Sequence, residues 1–314
     1  MKMLNNALSK ANTVAISGHV RPDGDCVGSC MAIYQYVKTH YPNVEVDVYL
    51  EQVPDSLKFI ECTKEIKHAI EDKEYDLFIM LDCADTNRVG FSGELFGKAK
   101  ATLCVDHHIS STPIADDNFI VPEASSTSEL VYRLMDKEKI TTDIAECLFL
   151  GIVHDTGVFQ YSCTAPETME AAADLMRKGI RANEIIDKTF YEKTYAQNQI
   201  LGRALLESFT FMDGKCIVTW VTQKMMEFHG VSTKDLDGIV SQLRVTKGVE
   251  VAILLYETAP CEYKVSLRAT NDVDVSKIAQ YFGGGGHKKA AGFTMQGTVH
   301  DIINNLSAQI ELQL

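Results

Sequence analysis

Ala101-Thr102-Leu103-Cys104-Val105-Asp106-His107-His108 is the stretch that decides how this chain folds: a short apolar run that stops in an acid and two imidazoles. A buried strand ending this way sets three side chains able to bind a metal or move a proton at the rim of a sheet, where open α/β sheets bind their ligands. Two other runs match it. Thr13-Val14-Ala15-Ile16-Ser17 leads into Gly18-His19-Val20-Arg21-Pro22-Asp23-Gly24-Asp25, and Asp76-Leu77-Phe78-Ile79-Met80-Leu81 leads into Asp82-Cys83-Ala84-Asp85. Each run is near-continuously apolar, the pattern of a strand covered on both faces in a parallel sheet. Three such strands would bring His19, Asp23, Asp25, Asp82, Asp106 and His107 to one edge.

Between these strands the spacing predicts a helix from about Cys26 to Thr39, a strand with one wetter face from Val44 to Leu50, and a short helix from Thr63 to Ile70. Ser126-Thr127-Ser128-Glu129 is a capping-box pattern opening a helix to about Met135. Asp143 and Glu146 give a similar signal before a second helix that ends in His154-Asp155-Thr156-Gly157. From Pro166 to about Leu206 the chain reads as successive helices. Strands are then predicted at 208–212, 215–221, 249–256 and 262–269, with helices near 233–243 and 275–281. The expected fold is α/β: an N-terminal domain (1–190) with a mostly parallel sheet flanked by helices, a helical linker (191–207), and a smaller C-terminal α+β domain (208–314) with its own sheet.

The 314 residues carry a formal charge of -13 with 46% hydrophobic residues. That balance allows large cores but argues against long nucleic acids or an anionic membrane as partners, since a polyanion needs a broad basic surface. A small anionic substrate is compatible with it, because divalent cations reverse the local field where acids cluster. Nothing ahead of Ala11 reads as a secretory leader, and the nine cysteines are odd in number, several lying inside apolar runs. The expectation is reduced thiols and a cytoplasmic location. No apolar stretch approaches the roughly 20 residues of a membrane span.

His19, Asp23, Asp25, Asp82, His107 and Asp155 make an oxygen-rich set with two imidazoles, suited to Mn²⁺, with Mg²⁺ as the substitute. Six such groups exceed what one ion takes from protein when it also holds water and substrate, which points to two ions. In the C-terminal part, Gly283-Gly284-Gly285-Gly286 runs straight into His287-Lys288-Lys289. The glycines are expected in a loop whose N–H groups cradle a phosphate, with His287 adding a donor. Ser266 and Arg268 share one face of a strand, placing a fork of donors for a terminal phosphate, and Arg244 is a weaker candidate of the same kind.

Taken in order, Gly18-His19-Val20-Arg21-Pro22-Asp23-Gly24-Asp25, Leu81-Asp82-Cys83-Ala84-Asp85, Val105-Asp106-His107-His108, Gly151-Ile152-Val153-His154-Asp155-Thr156-Gly157 and the glycine-rich Phe282 to Gly292 segment resemble the motifs of the DHH phosphoesterase family and its DHH-associated domain. The resemblance covers nearly the whole chain. It implies one metal held by His19, Asp23 and Asp82 and a second by Asp25, Asp82, His107 and Asp155, with Asp82 bridging. It also implies that His108 faces the phosphate and that Asp106 orients a histidine, the two forming the catalytic pair. His154 is expected to pack or face solvent. The closest likeness is to standalone members that hydrolyse RNA a few nucleotides long to mononucleotides and 3′-phosphoadenosine 5′-phosphate to AMP. The first domain would then supply the metals and the attacking hydroxide, and the second would grip the far end of the substrate. Two alternatives remain open: a phosphodiesterase of cyclic or linear dinucleotides, and a non-catalytic nucleotide sensor. A homodimer is expected from family likeness alone.

Overall fold

The computed structural model describes residues 2–314. The chain divides into two units, Met1–Glu192 and Lys193–Leu314, each built around one sheet.

In the first unit, β1 (Thr13–Ser17), β2 (Glu45–Tyr49), β3 (Ile66–Lys67), β4 (Leu77–Leu81), β5 (Thr102–Asp106) and β6 (Asp117–Ile120) form a sheet in the order β3-β2-β1-β4-β5-β6. Every pairing is parallel. The strand order reverses between β1 and β4, and this switch point is where a crevice opens beyond the carboxyl ends of the strands. Both faces of the sheet are covered. Val14, Ile16, Ile79 and Val105 face a core shared with α2 (Gly24–His40), α4 (Thr127–Leu134), α5 (Thr142–Asp155) and α6 (Pro166–Arg177), while Ala15, Phe78, Met80 and Cys104 face a smaller core beside α3 (Gly93–Lys98). Two short helices, α1 (Lys2–Leu8) and α7 (Ala182–Ile186), complete the unit.

Helix α2 is buried along almost its whole length, which explains its weak amphipathic pattern. It starts at Asp23, whose side chain accepts from the N–H groups of Asp25 and Cys26 at 3.1 and 3.2 Å. Helix α4 starts at Ser126, which accepts from Glu129 N at 3.0 Å. The reciprocal contact shifts by one residue: Glu129 accepts from Ser125, through Oγ at 2.5 Å and N at 3.3 Å.

Three local expectations are corrected. The helix predicted over 63–70 is a 3₁₀ turn, Glu61–Glu65, followed by β3, because Ile66 pairs with Val48 across the ladder. The wetter face of β2 is only partly wet: Asp47 is buried and carried by Lys67 at 2.8 Å, Lys73 at 2.6 Å and the Tyr75 hydroxyl at 2.7 Å. Helix α5 is capped by Thr141 rather than by an acid.

The second unit has a mixed sheet in the order β11-β12-β10-β9-β8-β7, formed by β7 (Phe209–Phe211), β8 (Cys216–Val221), β9 (Val251–Ala259), β10 (Glu262–Ala269), β11 (Gly285–His287) and β12 (Ala290–Gln296). Only β8 and β9 run parallel. One face is covered by α11 (Val275–Tyr281) and α12 (Val299–Glu311), and the β8–β9 part of the other by α8 (Tyr195–Leu206), α9 (Gln223–His229) and α10 (Ile239–Arg244). Helix α8, in the segment read from sequence as a connector, buries Ile200 and Ala204 in this second core. The helix predicted over 233–243 is interrupted by Gly238 at φ +88°, which separates a 3₁₀ turn from α10.

The glycine run is likewise corrected from loop to strand. Gly283 and Gly284 donate to Gln280 O and Ala279 O, closing the end of α11, and Gly285–His287 pairs with β12 as an edge strand. The backbones come so close that a Cβ on Gly286, at φ +141°, would lie 2.5 Å from Ala290 O.

Candidate metal centre

Four elements end, and α2 begins, at one place in the first unit. The loop after β1 supplies His19 and Asp23, α2 supplies Asp25, the end of β4 supplies Asp82, β5 and its exit supply Asp106, His107 and His108, and the last turn of α5 supplies Asp155. His19, Asp25, Asp82 and Asp106 are buried.

Asp82 stands at the middle. One carboxylate oxygen, Oδ2, lies 3.4 Å from His19 Nε2, which is also 3.7 Å from Asp23 Oδ1. The other, Oδ1, lies 3.6 Å from His107 Nε2, and that nitrogen is 3.0 Å from Asp155 Oδ2 and 4.0 Å from Asp25 Oδ2. The backbone of Asp82 is left-handed, φ +54°, and its N–H donates to Val105 O at 3.1 Å. A non-glycine residue held in this region at the end of a buried strand stores strain that the surrounding ladder over-determines, as functional sites often do.

The two histidines next to Asp82 are oriented alike. His19 sets Nδ1 against Val20 O at 2.9 Å and His107 sets Nδ1 against Ala124 O at 3.4 Å, so each turns Nε2 toward carboxylates. A backbone carbonyl on one ring nitrogen with the other presented to acids is the arrangement of metal-ligating histidines. His108 differs. Its Nδ1–H donates to Asp106 Oδ1 at 2.8 Å, while Asp106 Oδ2 accepts from the Ser111 hydroxyl and, at 3.4 Å, from His108 N. Asp106 is thereby spent on holding His108.

The electrostatics favour a cation. Burial, with Asp82 and Asp155 close by, holds the Asp25 carboxyl well above its ordinary range, and burial raises Asp155 despite its contact with His107. Burial opposes charge on His19, yet hydrogen bonds to Asp23 and Asp82 push it up to about 12. His107 rises to about 10 for the same reasons, with Asp155 as the main partner. Asp23 is pulled below its usual value by His19 against the cost of burial. Crowded carboxylates that borrow protons or imidazolium charge fit a divalent cation, and their oxygen-rich donor set suits hard ions.

Several groups at the centre escaped sequence reading. Thr127 and Ser128 donate backbone N–H groups to the two oxygens of Asp25, at 2.6 and 2.8 Å, and Thr127 Oγ1 donates to Asp82 at 3.2 Å. The N-terminus of α4 therefore seats the buried acid. Its capping pattern was visible, but its target lies about a hundred residues earlier in the chain. Gly151 makes room for this contact: a Cβ there would lie 2.6 Å from Asp25 Oδ1 and would collide with Ser128 Oγ. His154, expected to pack or face solvent, does stack against Phe190, with ring centroids 5.6 Å apart, but it also groups with Asp23 and Asp155 within metal-ligand reach. Cys26 lies in a similar group with His19 and Asp82.

In the second unit, ladder register places Arg268, Ala290 and His287 in one cross-strand row and Ser266, Gly292 and Gly285 in the next. Paired residues share a face, so Ser266, Arg268 and His287 project to the same side, with glycines leaving the surface between them bare. Arg268 is half-buried, and its Nη1 donates to Leu267 O at 3.0 Å. Gly284 has its N–H on Ala279 O. Arg244 stands outside these rows, at the end of α10.

Comparison with known proteins agrees with this architecture. Residues 13–152 match the DHH family, N-terminal domain, and residues 213–312 match the DHHA1 domain. The chain is 29% identical over 289 residues to a Thermus thermophilus protein named bifunctional oligoribonuclease and PAP phosphatase NrnA, covering 90% of this chain and 84% of that one. A Bacillus subtilis protein of the same name is 24% identical, with 91% and 90% covered. Among solved structures, an exopolyphosphatase-related protein from Bacteroides fragilis superposes with a TM-score of 0.88 at 25% identity, covering 98% of this chain and 94% of that one. Among the described residues no helix is long and apolar enough to cross a membrane. With both domain types present in order and the acid and histidine clusters at the strand ends, the chain belongs to the DHH family of phosphoesterases and carries a DHHA1 domain behind its catalytic one.

Proposed function

We propose that this chain is a manganese-dependent two-metal phosphoesterase that hydrolyses short RNA oligonucleotides to mononucleotides and 3′-phosphoadenosine 5′-phosphate to AMP. The observation that carries the reading is the division of Asp82, one oxygen toward His19 and the other toward His107. His19 and Asp23 would hold one ion and Asp25, His107 and Asp155 the other, with Asp82 between. Divalent cations there would lower the pKa of water and neutralise phosphoryl oxygens. The names of the Thermus and Bacillus relatives support the substrate class. The reduced cytoplasm is the compartment that suits nine free cysteines, seven of them buried.

His108 is the catalytic proton carrier in this reading and Asp106 its positioning residue. The hydrogen bond that His108 donates to Asp106 raises the His108 pKa against partial burial, which favours the protonated ring that can donate to the leaving oxygen. Activity that needs this proton is present below the raised pKa and lost above it. Asp106→Asn is therefore expected to lower kcat about 10–100-fold and to move the alkaline limb of the pH–rate profile to lower pH. A lowered kcat with an unmoved limb would remove Asp106 from this role.

In the second unit, Ser266, Arg268 and His287 form the grip for a terminal phosphate, with Gly284, Gly285 and Gly286 keeping its surface clear. Purified protein with Mn²⁺ is expected to release mononucleotide from a 5′-phosphorylated RNA dinucleotide and AMP from 3′-phosphoadenosine 5′-phosphate, and little from cyclic di-AMP. Arg268→Ala should raise KM for both substrates about tenfold, the loss of one charge-assisted hydrogen-bond pair. Faster release from the cyclic substrate would overturn the assignment, and no release from folded, metal-loaded protein would return the chain to a nucleotide sensor.

A further inference from the structure

The carboxyl edge of the first sheet holds a second concavity, on the β2–β3 side of β1. Its volume is about 500 Å³, within the range of small-molecule sites. Pro22, Pro54 and Phe91 supply apolar surface, and Arg21, Gln52 and His68 supply polar groups. These residues come from the exits of four neighbouring strands: Arg21 and Pro22 follow β1, Gln52 and Pro54 follow β2, His68 follows β3, and Phe91 lies in the 3₁₀ turn after β4. Pro22 is the residue before Asp23, so one peptide unit, about 3.8 Å between Cα atoms, links the pocket wall to the metal centre.

The connecting loop is clamped. Arg21 is a non-glycine residue at φ +54°, its N–H held by Glu51 Oε2 at 2.7 Å, and the adjacent Val20 N–H is held by Arg88 O at 2.7 Å. A strained residue fixed from two sides, between His19 and Asp23, marks a position where geometry matters more than local stability. Arg21 and Glu51 balance one another in the lining, so the pocket has no basic cluster and suits a nucleoside rather than a phosphate chain. A ring of proline and phenylalanine with an amide and an imidazole at its edge is the chemistry that receives a nucleobase, by stacking on its face and hydrogen bonding at its rim.

We propose that this pocket seats a nucleoside: the one that a short RNA carries beyond the scissile phosphate, on the side away from its own terminal phosphate. The inference rests on the phosphoesterase reading for its placement, though not for its chemistry. It has a consequence for selectivity. An RNA dinucleotide has a nucleoside on both sides of the bond broken, whereas 3′-phosphoadenosine 5′-phosphate has one on a single side, so only the dinucleotide fills the pocket.

The test uses full-length protein and two readouts. Adenosine, which has no phosphate, is titrated into metal-free protein while the ring-proton resonances of His68 are followed by NMR. Kinetics with Mn²⁺ then give the ratio of kcat/KM for the 5′-phosphorylated dinucleotide to that for 3′-phosphoadenosine 5′-phosphate. Phe91→Leu, which keeps bulk and removes the aromatic face, is expected to weaken adenosine about tenfold and lower the ratio about tenfold. Phe91→Tyr should restore both, and Gln52→Ala, at an exposed position, should weaken both without touching the core. Turnover of both substrates with adenosine binding indifferent to Phe91 and Gln52 would overturn the pocket alone. Phe91-dependent adenosine binding in a protein that turns over neither substrate would overturn the phosphoesterase reading and leave the nucleoside pocket standing.

Discussion

Asp82→Asn is expected to reduce kcat/KM by at least about 10³-fold, equivalent to about 4 kcal/mol of transition-state stabilisation, while the protein stays folded. The substitution preserves shape and the acceptor for Thr127, whose hydroxyl lies 3.2 Å from Oδ1. What it removes is a charge that both halves of the centre share, since His19 and His107 approach different oxygens of this one carboxylate. It also relieves Asp25 and Asp155, both held above their ordinary pKa in part by Asp82. The same change withdraws the anion that helps to hold His19 and His107 charged, so the two effects oppose and the metal-free variant should melt close to the parent even as activity collapses. Metal analysis by mass spectrometry should show fewer than two ions per chain. A variant that keeps a tenth of its activity with two ions bound would rule out Asp82 as the bridge.

Chelation is expected to abolish turnover and to leave a protein whose melting temperature falls as pH rises from 6.5 to 10. His107 is raised from 6.5 to about 10 and His19 to about 12. A raised histidine contributes stability that is complete below pH 6.5 and is lost as pH climbs through the folded-state value. The raised carboxyls of Asp25 and Asp155 have the same sign, their contribution declining from about pH 4 upward, because the folded form keeps a proton that the unfolded chain has already lost. The lowered carboxyls of Asp23 and Asp106 have the opposite sign, but their effect lies in the acid range, below about pH 4. Manganese should reverse the picture by displacing those protons. At 100 to 1,000 times its dissociation constant it adds about 3–4 kcal/mol, an increase of about 6–16 °C for a domain of this size, and the slope with pH should flatten or turn positive. A metal-free melting temperature that is level across this range and unmoved by manganese would refute the ligand set.

Much of the centre was legible in the chain because its candidate ligands sit at element ends, where local pattern is strongest. The apolar runs before His19, Asp82 and Asp106 are β1, β4 and β5, and parallel pairing carries their exits to one edge. The second helix was expected to end at His154-Asp155, and α5 ends at Asp155. The failures have physical causes. Thr63 to Ile70 has a helical pattern, yet Ile66 gains a ladder partner in Val48, and pairing outweighs a weak local preference. Four glycines read as a loop whose freed backbone aims N–H groups at a phosphate, but at this edge the missing Cβ is what lets β11 approach β12. His154 packs against Phe190 and also comes within reach of Asp23 and Asp155, a juxtaposition that spacing along one helix does not foretell.

By itself the sequence determined the parallel α/β architecture, the second α+β domain and the identity of the acids and imidazoles at the strand exits, since each depends on short-range periodicity and on residue type. Only the tertiary structure decided which atom of each group faces which neighbour. The carbonyls of Val20 and Ala124 turn the Nε2 atoms of His19 and His107 inward, Asp106 claims His108, and α4 offers its first N–H groups to Asp25. The contacts to Asp25 join residues about a hundred positions apart, and even between near neighbours in the chain a hydrogen bond's direction is set by where folding places both partners, which no local pattern records.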